Sequence, residues 1–176
     1  MTDISPEDLA AVSAQLQRPV RGVHAIAHRC SCGLPDVVET LPRLPDGTPF
    51  PTLYYLSCPR ATSAIGTLEA DGVMREMTER LQRDPELAAA YRAAHEAYLL
   101  QRATHGEVPE IDGISAGGMP DRVKCLHVLV GHALAAGPGV NPLGDETLEL
   151  LRDMLGTLDS WGGSGRCVAL HDEEEG

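Results

Sequence analysis

The five cysteines are the residues of this sequence that could take part in the most kinds of reaction, because thiolates bind soft metal ions and attack electrophiles. The first residues, MTDISPEDL, are acidic and lack the apolar run of a secretory signal, so we expect a cytoplasmic protein. Reducing conditions in the cytoplasm disfavour structural disulfides. The cysteines therefore predict a metal site or a reactive thiol rather than a disulfide framework.

One half of the predicted metal site lies in a segment rich in β-branched residues. Side chains alternate along a strand, so a strand near residues 23–31 places His28, Cys30 and Cys32 on one face. Cys58 falls between a third predicted strand and the following helix, where terminal N–H groups lower the pKa of a thiol. Cys58 is therefore expected to bind metal as a thiolate.

The other half is predicted on an apolar helix over residues 120–136. His132 follows Cys125 by seven positions and returns to nearly the same direction, whereas His127 points almost the opposite way. Zinc and iron–sulfur clusters take three or four thiolate or imidazole ligands. The predicted zinc or iron–sulfur site draws its ligands from six residues: Cys30, Cys58, Cys125, Cys32, His28 and His132.

Two other roles for the cysteines stay open on the sequence alone. The candidate ligands are far apart and lack the paired C-x-x-C spacing of well-defined zinc motifs. Free cysteines are common as small hydrophobic residues in cores, and a thiol can also react without a metal. Cys167 lies in an acidic terminal tail and receives no role.

A predicted anion-binding loop precedes Cys125. Gly117 and Gly118 lead into the predicted helix, and Arg122 and Lys124 lie in its first turn. The N–H groups of a helix start and two cations together predict a pocket for a small anionic ligand. The alternative is an ordinary glycine-containing loop that enters a helix.

A turn-rich loop over residues 137–145 follows the apolar helix. Its Asn141 and Asp145 are candidates for orienting a ligand. Asp145 is also well placed to cap the last helix, which we predict over residues 145–159.

These candidates are carried by a predicted α+β fold, a single domain over residues 1–161. The strands form an antiparallel meander near residues 23–31, 35–43 and 52–57. About five helices pack on this small sheet, over residues 5–17, 59–81, 84–104, 120–136 and 145–159. A break near Asp71 and Gly72 is expected to interrupt the second helix. The residues 162–176 are expected to form a disordered acidic tail.

The net charge and the distribution of apolar residues each exclude one class of partner. Fourteen basic residues against 26 acidic ones give a net charge of −12, which repels a nucleic-acid backbone. No stretch approaches the roughly 20 apolar residues of a membrane span. We therefore expect neither nucleic-acid binding nor membrane insertion.

Four stretches carry long and distinctive motifs. They are His28-Arg-Cys30 with Gly33 and Pro35, then PRLPDGTPFPTLYYL over residues 42–56, GGMPDRVKCLH over residues 117–127 and GPGVNPLGD over residues 137–145. Together they resemble the bacterial family catalogued as domain of unknown function 501, over about residues 15–155. The resemblance implies an actinobacterial cytoplasmic protein, encoded near a septum-formation-initiator-like protein and an exopolyphosphatase-like phosphatase. The family has no assigned activity and supplies no catalytic residue.

Three functional hypotheses follow. In the first, the protein is an enzyme whose metal keeps an open position while Arg122 and Lys124 hold a small anionic substrate. In the second, it is a non-catalytic regulatory or adaptor protein with a structural metal or none, and its acidic surface contacts a protein partner. In the third, the cysteines are core residues and the glycine loop alone binds an anionic ligand.

Overall fold

The computed structural model of the protein describes residues 4–170. This part of the chain contains a three-stranded antiparallel sheet and six α-helices, so the predicted α+β class is confirmed. The strands are β1 Val23–Arg29, β2 Pro35–Thr40 and β3 Tyr54–Leu56. The helices are α1 Pro6–Leu16, α2 Pro59–Ala70, α3 Val73–Arg83, α4 Pro85–Ala103, α5 Leu126–Ala136 and α6 Pro142–Leu155. None of these helices is long and apolar enough to cross a membrane.

The sheet has the strand order β1-β2-β3, which confirms the predicted meander. Its first pair of strands is irregular, with register shifts between Val23 and Ala25 and on both sides of His28. Such bulges break the alternation of side chains. The strand also ends at Arg29, and the next residues form a turn in which Gly33 donates to the Cys30 carbonyl at 2.9 Å. The expected single face over residues 23–31 is therefore wrong.

The predicted break in the second helix is confirmed. Helix α2 ends at Ala70, and Gly72 has a φ of +83°, a left-handed conformation that glycine adopts without strain. A new helix, α3, begins at Val73. This break accounts for six helices where the sequence predicts about five.

The apolar helix begins later than predicted, at Leu126 rather than at residue 120. The preceding segment closes on itself, because the Lys124 N–H donates to the Gly117 carbonyl at 2.7 Å and the Arg122 N–H to the Gly118 carbonyl at 3.1 Å. Gly118 has a φ of +92° in this turn. Cys125 is consequently the N-cap of α5 and does not lie inside the helix.

The last helix begins at Pro142, three positions before the predicted start. The Asn141 side chain accepts the Gly144 N–H at 2.9 Å and therefore caps α6. Asp145 instead accepts the Gly139 N–H at 2.8 Å and holds the preceding loop. The prediction that Asp145 caps this helix is wrong.

Helix α5 packs between the sheet and α6. The Gly131 position lies against the Tyr54 carbonyl, and the Gly144 position of α6 lies against the Leu129 carbonyl. An added Cβ atom would stand 2.3 Å from the oxygen at Gly144, so that contact requires glycine, whereas at Gly131 it would make a tight contact of 3.1 Å. Glycine at these two positions therefore allows α5 to approach its neighbours closely enough to be buried.

The segment after α6 is fastened to α2 by one arginine. Arg60 donates hydrogen bonds of 2.9–3.4 Å to four backbone carbonyls, those of Ser160, Gly165, Ser164 and Arg166. Residues 164–166, which belong to the predicted disordered tail, are thus held against the first turn of α2. The acidic residues 171–176 lie outside the described residues.

Tyr98 on α4 provides a test of the core. Its hydroxyl accepts the N–H of Leu53 at 2.6 Å, and both residues are fully buried. We expect Tyr98→Phe to lower the free energy of unfolding by about 1–3 kcal/mol, because a buried N–H loses its acceptor. Urea denaturation measures the change. Tyr55→Phe is the matched control, since its hydroxyl has no hydrogen bond within residues 4–170, and an equal loss in both variants would contradict the prediction.

Candidate metal centre

The six predicted metal ligands do not form one site in the structure. Cys125 lies with Glu69 and His127, and the three offer ligand atoms that are all within 4.8 Å of one another. Cys30, Cys32 and Cys58 lie near the C-terminal segment instead. The first of these groups faces a cleft and is the candidate for chemistry.

Two helices meet end to end at the first group. Glu69 is in the last turn of α2, Cys125 is the N-cap of α5, and His127 is in the first turn of α5. The Cys125 Sγ lies 3.8 Å from the His127 Nδ1, and that nitrogen lies 3.1 Å from the Glu69 Oε1. Thiolate, imidazole and carboxylate are all zinc ligands.

Glu69 supplies a cap that α5 lacks in its own sequence. The Cys125 side chain caps no backbone N–H, and the Glu69 Oε1 accepts the Leu126 N–H at 2.8 Å. A carboxylate is favoured at the positive N-terminal end of α5 and disfavoured at the C-terminal end of its own helix. The capping contact therefore fixes the carboxylate beside Cys125 and His127.

The second nitrogen of His127 fixes the orientation of the ring. The His127 Nε2 lies 3.2 Å from the Thr62 carbonyl, which can only accept a hydrogen bond. Nε2 therefore carries a proton, and Nδ1 faces Glu69 and Cys125. The hydrogen bond with Cys125, followed by the charge of Glu69, raises the pKa of His127 to about 9 against the opposing effect of burial. An imidazolium is the favoured form when no metal is bound.

A cleft of about 680 Å³ opens beside this group. Cys125 and His127 line it, together with a set of hydroxyl-bearing residues: Thr52, Tyr54, Tyr55, Ser57, Thr62 and Ser63. No acidic side chain belongs to the lining within the described residues. The Ser57 hydroxyl is buried and has no hydrogen-bond partner among residues 4–170. The cleft lining therefore includes a residue whose buried hydroxyl is unsatisfied.

Cys30, Cys32 and Cys58 do not have the surroundings that the sequence suggests. The Cys30 and Cys32 sulfurs lie 2.9 Å apart in the turn after β1. Cys58 is the N-cap of α2 as expected, but burial raises its pKa to about 12. The prediction of a lowered pKa for Cys58 is wrong because desolvation outweighs the N–H groups of the helix start.

His28 is engaged by an acid rather than by the thiols. Its Nδ1 lies 2.7 Å from the Oδ1 of Asp36, and this hydrogen bond raises the pKa of His28. Trp161 donates to the other oxygen of Asp36 at 3.2 Å. The buried carboxylate is thereby satisfied on both sides.

His132 lies in the core, only 2% exposed. It stacks on Tyr54 with ring centroids 5.8 Å apart and meets the edge of Tyr98 at 5.1 Å. Its Nδ1 lies 3.2 Å from the Asn141 amide nitrogen. Asn141, a predicted ligand-orienting residue, thus orients His132 and caps α6. His132 lines a different cleft from Cys125.

The predicted anion loop forms a closed turn. The N–H groups of Arg122 and Lys124 are used inside the turn, and the Tyr91 hydroxyl donates to the Arg122 carbonyl at 2.9 Å. Both cationic side chains are exposed, and neither they nor Gly117 and Gly118 line the cleft beside Cys125. The helix start on which this prediction depended lies elsewhere.

A family model matches residues 26–149, which include Cys30, Cys58, Glu69, Cys125 and His127. Its description is "protein of unknown function (DUF501)". The chain belongs to the DUF501 family. No curated protein and no solved structure matches it significantly.

Sequence reasoning missed two residues of the candidate centre in this DUF501 protein, Glu69 and His127. A helix that starts at residue 120 turns His127 away from Cys125, whereas in the structure Cys125 is the N-cap and its sulfur lies 3.8 Å from the His127 Nδ1. No local sequence pattern marks Glu69 as a ligand, because its role depends on the end of α2 lying beside the start of α5.

The buried His132 makes stability depend on pH. Burial lowers its pKa to about 4, against about 6.5 in an unfolded chain. Between these values only the unfolded state binds the proton, so stability falls as the pH falls from about 6.5 to 4. We expect this residue to contribute up to about 3 kcal/mol of the loss. Urea denaturation across this range should show a flatter dependence for His132→Gln, and parallel curves would contradict the assignment.

Proposed function

We propose that this protein is a zinc enzyme whose metal is held by Glu69, Cys125 and His127 and whose substrate is small and anionic. One observation carries the proposal: three ligand atoms of suitable chemistry lie within 4.8 Å of one another beside a cleft. The ligand distances, the open side of the group and its charge are consistent with a catalytic zinc site.

The distances suit zinc. With Zn–S near 2.3 Å and Zn–N near 2.0 Å, tetrahedral neighbours are separated by about 3.5 Å. The Cys125–His127 and His127–Glu69 separations, 3.8 Å and 3.1 Å, bracket this value. The Thr62 carbonyl gives His127 the outer hydrogen bond that zinc-bound histidines usually have. Only small movements of side chains are needed to close the ligands around an ion.

Three protein ligands leave a fourth position for water or substrate, as in catalytic zinc sites. Cys125 and His127 line the cleft, so this position is expected on the cleft side. A zinc ion there would polarise a substrate oxygen or activate a water molecule. Ser57 lines the same cleft and has an unpartnered hydroxyl within residues 4–170, so we assign it to hydrogen-bond the bound molecule.

The charge of the centre suits an anionic substrate. The thiolate and the carboxylate balance the two positive charges of zinc, and no acidic side chain lines the cleft within residues 4–170. An anion at the open position would therefore meet a centre without net charge. Its size is limited by the cleft volume of about 680 Å³.

Zinc content tests the ligand set directly. We expect Cys125→Ala and His127→Gln each to lose about one zinc ion per chain relative to the unaltered protein, because three-ligand sites depend on every ligand. Glu69→Gln should bind zinc more weakly. Elemental analysis after dialysis measures the metal. Glu76→Gln, an exposed acid on α3, is the matched control, and unchanged zinc in all three site variants would exclude this centre.

Cobalt substitution tests the open position. The visible spectrum of cobalt reports its ligands and their number, so azide added to the cobalt form should shift the bands if it occupies a free position. Cys125→Ala should abolish the azide-dependent part of the spectrum. A cobalt spectrum that azide leaves unchanged would indicate a closed site and favour the non-catalytic alternative.

A second candidate function uses the same residues without a metal. A raised His127 pKa and a thiol at a helix N-terminus are typical of a thiolate–imidazolium pair, in which Cys125 acts as a nucleophile and Glu69 orients His127. This candidate predicts no zinc at the site and fast alkylation of Cys125 by iodoacetamide. Alkylation would slow in His127→Gln. The zinc enzyme instead predicts that Cys125 is protected until a chelator is added.

A further inference from the structure

Two thiols in the turn that follows β1 are in direct contact. Cys30 and Cys32 are separated by one residue, and their sulfurs lie 2.9 Å apart as free thiols. The Cys32 N–H also donates to the Cys30 sulfur, at 3.2 Å. Neither residue lines the cleft beside Cys125, so this pair is separate from the proposed catalytic centre.

Backbone hydrogen bonds hold the two cysteines in this arrangement. The Cys30 N–H donates to the Leu34 carbonyl at 3.1 Å, and the Gly33 N–H donates to the Cys30 carbonyl at 2.9 Å. Arg29 donates to the Gly33 carbonyl at 3.3 Å, and its guanidinium also binds both carboxylate oxygens of Asp8 on α1. The turn is thereby closed and tied to a neighbouring helix, which keeps the two sulfurs side by side.

The two thiols differ in their exposure. Cys30 is buried, whereas Cys32 is half-buried and lies between the exposed residues Ser31 and Gly33. Oxidisable cysteines are accessible thiols that often lie beside a second cysteine, which resolves the first product of oxidation. Cys32 has the exposure of the reacting thiol, and Cys30 has the position of the resolving one.

Hydrogen bonds prepare Cys32 to react. Burial disfavours its thiolate, but the hydrogen bond from the Cys30 thiol and bonds from backbone N–H groups outweigh burial, so the pKa of Cys32 lies below its ordinary value. Burial raises the pKa of Cys30 to about 12. Cys30 therefore stays a thiol and donates to the Cys32 thiolate, which is the form that attacks a disulfide.

We propose that Cys30 and Cys32 form a reversible disulfide by exchange with glutathione disulfide or a similar small disulfide. The Cys32 thiolate attacks one sulfur of glutathione disulfide, which forms a mixed disulfide and releases one glutathione thiolate. The Cys30 sulfur then attacks the Cys32 sulfur, and the proton of Cys30 leaves with the second glutathione. The protein loses two electrons, which reduce one glutathione disulfide to two glutathione molecules.

The second step is favoured by the loss of charge on Cys32. The hydrogen bond and the negative charge of Cys32 both add to the high pKa of Cys30. A mixed disulfide at Cys32 has no charge and is a weaker acceptor, so the Cys30 thiol then ionises more easily. The two sulfurs have to approach from 2.9 Å to the bond length of about 2.05 Å.

The short spacing of the pair indicates a chemical role rather than a structural one. A disulfide stabilises a fold mainly by closing a loop, and its contribution grows with the length of that loop. The bond between Cys30 and Cys32 would enclose one intervening residue and restrain little of the chain. Its formation therefore serves reversible oxidation.

Mass spectrometry of the tryptic peptide 30–43, in which Cys30 and Cys32 are the two cysteines, tests the exchange. After incubation with glutathione disulfide, we expect this peptide to lose two hydrogen atoms, and excess glutathione should restore them. Cys30→Ala should stop at a stable glutathione adduct on Cys32, because the resolving thiol is gone. Cys58→Ala removes another buried thiol and is the matched control, which should oxidise like the unaltered protein.

Cys32→Ser alters a half-buried residue and keeps the test decisive if Cys30→Ala fails to fold. We expect it to leave Cys30 a free thiol under the same conditions. A peptide that stays reduced in the unaltered protein, a lasting adduct on Cys32, or a disulfide from Cys32 to Cys167 would overturn the proposal. Cys125→Ala should oxidise this pair normally, so failure of the zinc centre would leave the result unaffected.

Discussion

The hydrogen bond from the Lys124 N–H to the Gly117 carbonyl, 2.7 Å long, determines where α5 begins. It closes a turn around two glycines in left-handed conformations, so the chain cannot become helical until Leu126. Cys125 then has an extended N-cap conformation and His127 lies in the first turn. A helix that began at residue 120 would point these two side chains in nearly opposite directions. The candidate centre therefore depends on this turn.

The sequence predicts the elements well because their signals are local. Proline at the first helical position, a capping serine and the glycine after Asp71 each act within a turn of the helix they start or end. The order of the strands follows from short connections. Boundaries near residues 120 and 145 were predicted wrongly because Pro120 and Asp145 resemble helix starts, while hydrogen bonds to Gly117 and Asn141 decide the outcome.

The candidate sites were less predictable because their ligands come from the ends of different elements. Cys125 and Cys58 were found as chemically capable residues, but their partners are set by tertiary contacts that no sequence period encodes. Glu69 meets His127 only because α2 ends where α5 begins. In the same way, Arg60 binds the backbone of residues 164–166, a segment whose composition suggests disorder.

Helix α2 positions the acidic member of the candidate centre. Glu69 lies in its last turn, and the same carboxylate oxygen accepts the Leu126 N–H at 2.8 Å and lies 3.1 Å from the His127 Nδ1. One carboxylate therefore caps α5 and belongs to the ligand group at the same time. With zinc bound, one thiolate and one carboxylate would leave a neutral centre, whereas further acidic ligands would give it a net negative charge that repels anions. The proposed anionic substrate is consistent with this limited number of acidic ligands.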